Sequence, residues 1–323
     1  MSQYAQLYST LVTIAAPFSL LGSSAMLYVI SRSRAKLSTT LNRLLVGLCV
    51  GDIIFSFPML FSKAILRYEE RVFNDVAYTA VMPSNQAACS TQGFFVSLGM
   101  VLGPLNNCAL CVYYVCVVKL NMSVTKIKKK VEPFLHAIPW VTAITLSSTA
   151  LATKSINPAY SMCRVAEYRP NDCESDDCAR RNDRVRKLFL IQSASLLIAF
   201  IAIIVMMGVI FLKVWRQERR MKNAGYRSSN AARARRNEAN MISGNRNQAH
   251  SCSNGLSLRQ NVTNSRKVLN QALAYAGAYF ATWFFVVFLM LSEIITQKSM
   301  AEVMSVIAAI CIPLQGKSHA VYS

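Results

Sequence analysis

Leu44-Leu-Val-Gly-Leu-Cys-Val-Gly-Asp52-Ile-Ile-Phe-Ser-Phe-Pro58 carries a single charge in an otherwise uncharged, mostly apolar run. Extended outward, the run covers about 41-65, and roughly 20 apolar residues are enough for a helix to cross the hydrocarbon core of a bilayer. A carboxylate in mid-span costs about 2.5–3.5 kcal/mol on insertion scales, so such a residue faces protein rather than lipid. The stretch therefore reads as one helix of a bundle, with Asp52 turned inward.

Six further blocks share its character, at about 7-30, 93-118, 134-152, 188-212, 268-292 and 302-322. The chain has 323 residues, of which 53% are hydrophobic and only 15% charged, with a mean hydropathy of +0.31. Soluble domains carry about a quarter charged residues, and disordered chains are still more polar. These numbers exclude both. The first block has no basic segment before it and is longer than the apolar core of a secretory signal, so it reads as a span. The fold class expected is an all-α membrane protein, a seven-transmembrane helix bundle formed by residues 1-323 as one domain.

Thirty-five Lys and Arg face 15 Asp and Glu, for a net charge of +20. In a soluble chain that excess suggests nucleic acid; between membrane spans it reports orientation instead, and no nucleic-acid partner is expected. With the N-terminus outside, the inner segments hold 23 Lys and Arg and the outer ones 12. The positive-inside rule thus favours a multi-pass protein with its N-terminus outside, and the plasma membrane is the expected location. Residues 213-267 form the longest polar stretch, with 13 basic residues and nine Asn. Its start, Lys213 to Lys222, continues the fifth helix, and the rest reads as a disordered basic cytoplasmic loop. Such a face suits anionic membrane lipids or an acidic protein surface.

Ten cysteines sort by position, and four of them, Cys89, Cys163, Cys173 and Cys178, fall on the outer side. An oxidising compartment permits two disulfides in any of three pairings. The preferred pairing is Cys89 with Cys163 and Cys173 with Cys178. The Cys173-Glu-Ser-Asp-Asp-Cys178 run lacks the usual zinc spacing, and no metal is expected beyond an ion at Asp52.

Ser23, Ser24, Asn106 and Asn107 lie at depths comparable to Asp52 in their own spans. Together they form a candidate ion or proton site; a neutral Asp that ties helices together by hydrogen bonds is the plainer reading. No nucleophile-base pair, phosphate loop or zinc pattern is present, so an enzyme is not expected.

Taken together, these features resemble the seven-helix G-protein-coupled receptors of the rhodopsin-like and cAMP-receptor-like branch. The residues carrying the resemblance are Leu48-x-x-x-Asp52 after the Arg34-Ala-Lys-Leu-Ser-Thr-Thr40 loop, and Cys89 at the head of a third helix that ends Tyr113-Tyr-Val-Cys-Val-Val-Lys-Leu120. Pro313-Leu-Gln-Gly316 and Phe280-Ala-Thr-Trp283 add to them. The resemblance implies an extracellular ligand and a heterotrimeric G protein as partners, with no cofactor other than a possible sodium ion at Asp52. It also implies that Cys89 and Cys163 form the outer disulfide and that Trp283, Pro313 and Tyr322 act as an activation switch. Lys119, with Lys126 and Arg266 around it, would meet the G protein. Lys119 stands where the family usually has Arg, which removes the planar guanidinium fork, and Val118 supplies no acid beside it. Ser323 follows Tyr322 at once, so a truncated or diverged copy stands among the readings.

Two other classes compete. An ion-coupled transporter would use a mid-membrane Asp and broken helices, but no internal repeat divides the chain. A nonsignalling structural membrane protein would share the bundle and make no use of Lys119. A retinal-binding pump is disfavoured, because Lys298 precedes the seventh span and Lys317 lies at its far end.

Overall fold

The computed structural model describes residues 2–33, 37–73, 76–159, 162–166 and 176–241. Five long helices run through them: α1 (Ser2–Arg32), α2 (Thr40–Met59), α3 (Gln86–Val118), α4 (Glu132–Ala152) and α5 (Asp176–Met241). Each contains a segment long and apolar enough to cross a membrane. The sixth and seventh spans expected at 268-292 and 302-322 lie outside the described residues.

Local chemistry sets the helix ends. Thr39 begins α2, its hydroxyl accepting from the Asn42 N–H at 3.3 Å, and Asn85 begins α3, its side chain accepting from the Ala87 and Ala88 N–H groups at 2.8 and 3.3 Å. These oxygens satisfy amides that have no partner inside the helix. At the other end of α3, Leu120 and Met122 donate to the Val115 and Cys116 carbonyls around Asn121, whose φ is 47°. Asn is one of the few side chains that tolerate this left-handed turn. A helical turn at Val124–Lys126 and a π-helical turn at Ile127–Val131 then lead into α4.

The helices alternate in direction. Val12 and Ala16 of α1 pack with Met59 at the end of α2, whereas Met26 and Ile30 pack with Leu44 and Leu45 near its start. The largest apolar cluster among the described residues joins α1 to α5 through Met26, Leu45, Cys49, Leu110, Tyr114, Leu135, Leu196, Ile203 and Ile210. The distribution is inverted relative to a soluble protein. Phe134, Ile138, Val141 and Ile144 of α4 are exposed, while Asp52, Asn106, Asn107 and Ser147 are buried. Lipid is as apolar as a leucine side chain, so close packing and polar links hold such helices together rather than removal of apolar surface from water.

Three features depart from the sequence expectations. Between α2 and α3 an antiparallel hairpin pairs β1 (Leu66–Phe73) with β2 (Val76–Pro83), and between α4 and α5 a second pairs β3 (Ile156–Ala159) with β4 (Met162–Val165). Both are short excursions at one end of the bundle. The third is that α5 continues to Met241, well past Lys222, so the part of the 213-267 stretch up to Met241 is helical rather than disordered. Ala and Arg recur through Asn223–Met241, and both are good helix formers.

Candidate functional site

The buried polar groups form a seam along α1, α2 and α3. Ser56 donates to the Ser19 hydroxyl at 3.0 Å, joining α2 to α1. Because these helices are antiparallel, one turn farther from this contact on each brings Asp52 and Ser23 to the same level. Both are buried, and the Asp52 Oδ2 and Ser23 Oγ atoms have no hydrogen-bond partner among the described residues. Asn106 of α3 donates to the Gly47 carbonyl at 3.0 Å, so one of its N–H groups ties α3 to the α2 backbone. Its neighbour Asn107 is buried with Nδ2 unpartnered among the described residues. Ser24 stands apart: it is exposed among the described residues, since a step of one residue turns a helical side chain by about 100°. Of the four polar residues grouped with Asp52 by depth, the buried ones are thus Ser23, Asn106 and Asn107.

One end of the bundle is closed covalently. Cys89, in the first turn of α3, is bonded to Cys163 of β4. Of the other preferred pair, Cys173 lies outside the described residues, and Cys178 falls in the first turn of α5, where side chains are not described. Gln92, one turn from Cys89, is 3% exposed and fully engaged. Its Nε2 donates to the Pro58 carbonyl at 3.0 Å and to the Ser62 hydroxyl at 2.9 Å, and its Oε1 accepts from the Cys163 N–H at 3.1 Å. An apolar cleft of about 480 Å³ opens beside it between α2 and α3, walled by Phe57, Pro58, Phe61 and Phe95.

The opposite end is held by an ion pair. Glu132 at the start of α4 receives both Nε and Nη2 of Arg43 from α2, the second at 2.8 Å, and accepts from the Thr40 hydroxyl at 2.7 Å. Arg43 also donates to the Leu37 carbonyl in the turn before α2. His136, one turn along α4, has its Nε2 3.9 Å from Glu132 Oε1, beyond hydrogen-bond range. Lys119, Lys126, Lys128, Lys129 and Lys130 are all exposed at this end. Arg266, Trp283, Pro313 and Tyr322 lie outside the described residues.

The sequence reading did not single out Gln92 or the Arg43–Glu132 pair as site residues. The available signal was a Gln three positions after a Cys at the start of a span, and an Arg and a Glu just inside the ends of two spans. On paper, both look like ordinary boundary residues.

The sequence model of the family described as 7 transmembrane receptor (rhodopsin family) matches residues 22–319. The chain belongs to this family. It is a rhodopsin-family G-protein-coupled receptor, a multi-pass membrane protein that signals to G proteins, and the family is not an enzymatic one. Its fold is similar to that of the crystal structure of squid rhodopsin, with a TM-score of 0.56 at 10% sequence identity, covering 99% of this chain and 82% of that one. No curated protein matches the sequence. The bundle thus has one end closed by Cys89–Cys163 and an opposite end bearing exposed lysines.

Proposed function

We propose that this receptor sits in the plasma membrane with its N-terminus outside, receives a ligand at the disulfide-closed end, and presents Lys119, Lys126 and Arg266 to the G protein. Trp283, Pro313 and Tyr322 form the switch between the two ends, and the seven spans enclose a single domain. The observation that carries the reading is the buried Asp52, with an oxygen unpartnered among the described residues, set in a polar seam between a covalently closed end and a lysine-rich one.

Asp52, with Ser23 and Asn107, is the site of a sodium ion or a proton. Hard cations take oxygen ligands, and a carboxylate with a serine hydroxyl beside it offers the right donors. Asn107 can turn its amide so that the oxygen rather than Nδ2 faces the ion. Asn106 is a supporting residue at one remove, since it already holds the Gly47 carbonyl. Charge lost or gained at Asp52 alters the cost of burying it in one packing of the helices relative to another. Such a difference is what shifts a two-state population.

On the inner face, Lys126, Lys128, Lys129 and Lys130 crowd onto the turns leading into α4 with Ile127 buried beneath them. Arg43 neutralises the nearest acid, Glu132. These lysines contact anionic lipid headgroups, each worth about 1 kcal/mol near a charged surface.

The test is ligand-independent nucleotide exchange on a panel of G proteins, comparing this chain with its Lys119→Ala variant at matched surface expression. Exchange above background that the variant loses supports the reading. Exchange that the variant retains removes Lys119 from the contact. No exchange from either with any G protein leaves the Lys119 contact without support.

A further inference from the structure

Gln92 has a role that neither the ion site nor the G-protein face requires. A primary amide has two N–H groups and one carbonyl, and in Gln92 all of them are engaged inside the protein. The partners belong to three separate pieces of chain: the last turn of α2 at Pro58, the turn after it at Ser62, and the backbone of β4 at Cys163. The cleft alongside is lined almost wholly by apolar groups, so the amide is turned into the protein rather than toward a ligand there. A buried, fully satisfied network of this kind specifies one geometry and resists others.

Two details make the junction stiff on one side and yielding on the other. On the stiff side, β3 and β4 rest directly on the α3 backbone beside Gln92. A Cβ placed on Gly93 would stand 2.2 Å from Ile156 Cγ2 and 3.2 Å from the Cys163 carbonyl oxygen. With the disulfide to Cys89 and the amide hydrogen bond to Gln92, Cys163 is thus anchored twice on one helix within a single turn. On the yielding side, Pro58 brings no N–H, so the Ile54 carbonyl loses the amide that would normally close that turn. Gln92 adds two contacts here, one to the Pro58 carbonyl in the last turn of α2 and one to the Ser62 hydroxyl in the turn after it. Asp52 lies six residues below Pro58, about 9 Å along the helix axis, with Ser56 and its bond to Ser19 in between.

We propose that Gln92 is a positioning residue that couples the disulfide-bearing β3–β4 hairpin to the proline-weakened end of α2, and through it to the level of Asp52. When the hairpin moves, the Cys163 N–H takes Oε1 with it, and the amide carries the displacement to Pro58 and Ser62.

Hydrogen exchange on the full chain in nanodiscs tests this without reference to any ligand or G protein. Four proteins are compared: the native chain, Ile156→Ala, Gln92→Leu, and the double variant. Ile156→Ala loosens the hairpin where it rests on Gly93. With Gln92 in place, it should speed exchange both in 156–165 and in 57–62, the latter by about five- to tenfold, the scale of one lost buried hydrogen bond. In the Gln92→Leu background, 57–62 should already exchange fast, and adding Ile156→Ala should change only the hairpin. An equal increase at 57–62 in both backgrounds overturns the proposal, as does no increase there with Gln92 present. If Gln92→Leu does not fold, Gln92→Glu serves in its place. It keeps the acceptor for Cys163 and loses the N–H donors, so the hairpin should stay protected while 57–62 opens. Protection of both segments by Gln92→Glu overturns the proposal as well.

Discussion

Gly99 of α3 lies against the backbone of Phe55 in α2, so close that a Cβ on Gly99 would stand 2.6 Å from the Phe55 Cα and 2.7 Å from its N. Small residues at such crossings let membrane helices approach until dispersion contacts are made along the backbone. Gly99→Ala must push α2 and α3 apart, and overpacking of this kind costs about 1–3 kcal/mol. The thermal unfolding midpoint of the receptor in detergent should fall accordingly. Gly208→Ala in α5 is the control, because among the described residues nothing lies within 4 Å of its added carbon. Its midpoint should hold or rise, Ala being the better helix former by about 1 kcal/mol.

The Arg43–Glu132 pair predicts a non-additive pattern. Arg43 grips the carboxylate with two nitrogens, which a lysine cannot reproduce. Arg43→Lys should therefore destabilise nearly as much as Arg43→Gln, by about 1.5–3 kcal/mol, the range for hydrogen bonds to charged groups. Glu132→Gln leaves Arg43 without its counter-charge and should cost a similar amount. The double variant Arg43→Gln with Glu132→Gln should be less damaging than the sum of the two singles. Chemical denaturation of all four proteins in one lipid system measures the cycle. Simple additivity would show that the two side chains do not act together.

How far the sequence was readable depends on the kind of signal each element gives. The spans within α1 to α5 are legible because a membrane demands about 20 apolar residues in a row, a signal that short strands and polar loops do not imitate. Asp52 stands out for the same reason, as a charge that the solvent would otherwise forbid. Faces are harder. Ser23 and Ser24 are indistinguishable by depth, and only helix rotation separates the buried one from the exposed one. Gln92 is invisible because its importance lies in three partners from distant pieces of chain, none of them marked by spacing. The two hairpins were missed since strands of four to eight residues have little periodicity to read, and Arg67-Tyr-Glu-Glu-Arg-Val-Phe73 looks like a polar loop. The overrun of α5 past Lys222 was hidden by charge, which in a long basic run argues for disorder even where Ala and Arg favour a helix.

Removing the disulfide separates covalent from packing contributions at the closed end. Cys89 and Cys163 are 74 positions apart, and a cross-link closing a loop of that length restricts the unfolded chain by about 4 kcal/mol in the chain-entropy account. The bonded cysteines are both fully buried. Cys89→Ser with Cys163→Ser should lower the unfolding midpoint and reduce the fraction of receptor reaching the cell surface, measured by antibody labelling of intact cells. With Gln92 still holding the backbone N–H at position 163, exchange protection of that amide should survive in the fraction that folds. Complete loss of that protection would mean the disulfide alone seats β4.

Asp52→Asn separates charge from shape at the centre of the seam. The amide has nearly the volume of the carboxylate and can still accept a hydrogen bond, so the α1, α2 and α3 packing around Ser19, Ser56 and Asn106 should persist. What disappears is the negative charge that an ion or a proton would meet. A ligand bound only to the folded state stabilises it by RT ln(1 + [L]/Kd), about 1.4 kcal/mol when the ligand is at tenfold its dissociation constant. If sodium is the occupant, the native receptor's midpoint should rise when sodium chloride replaces choline chloride at equal ionic strength, and Asp52→Asn should show no such rise. If a proton is the occupant, sodium should have no effect, and the native receptor's stability should vary with pH in a way that Asp52→Asn removes. The two outcomes differ in the variable that the variant silences. A sodium response that persists in Asp52→Asn would place the ion elsewhere and leave Asp52 as a neutral tie between helices.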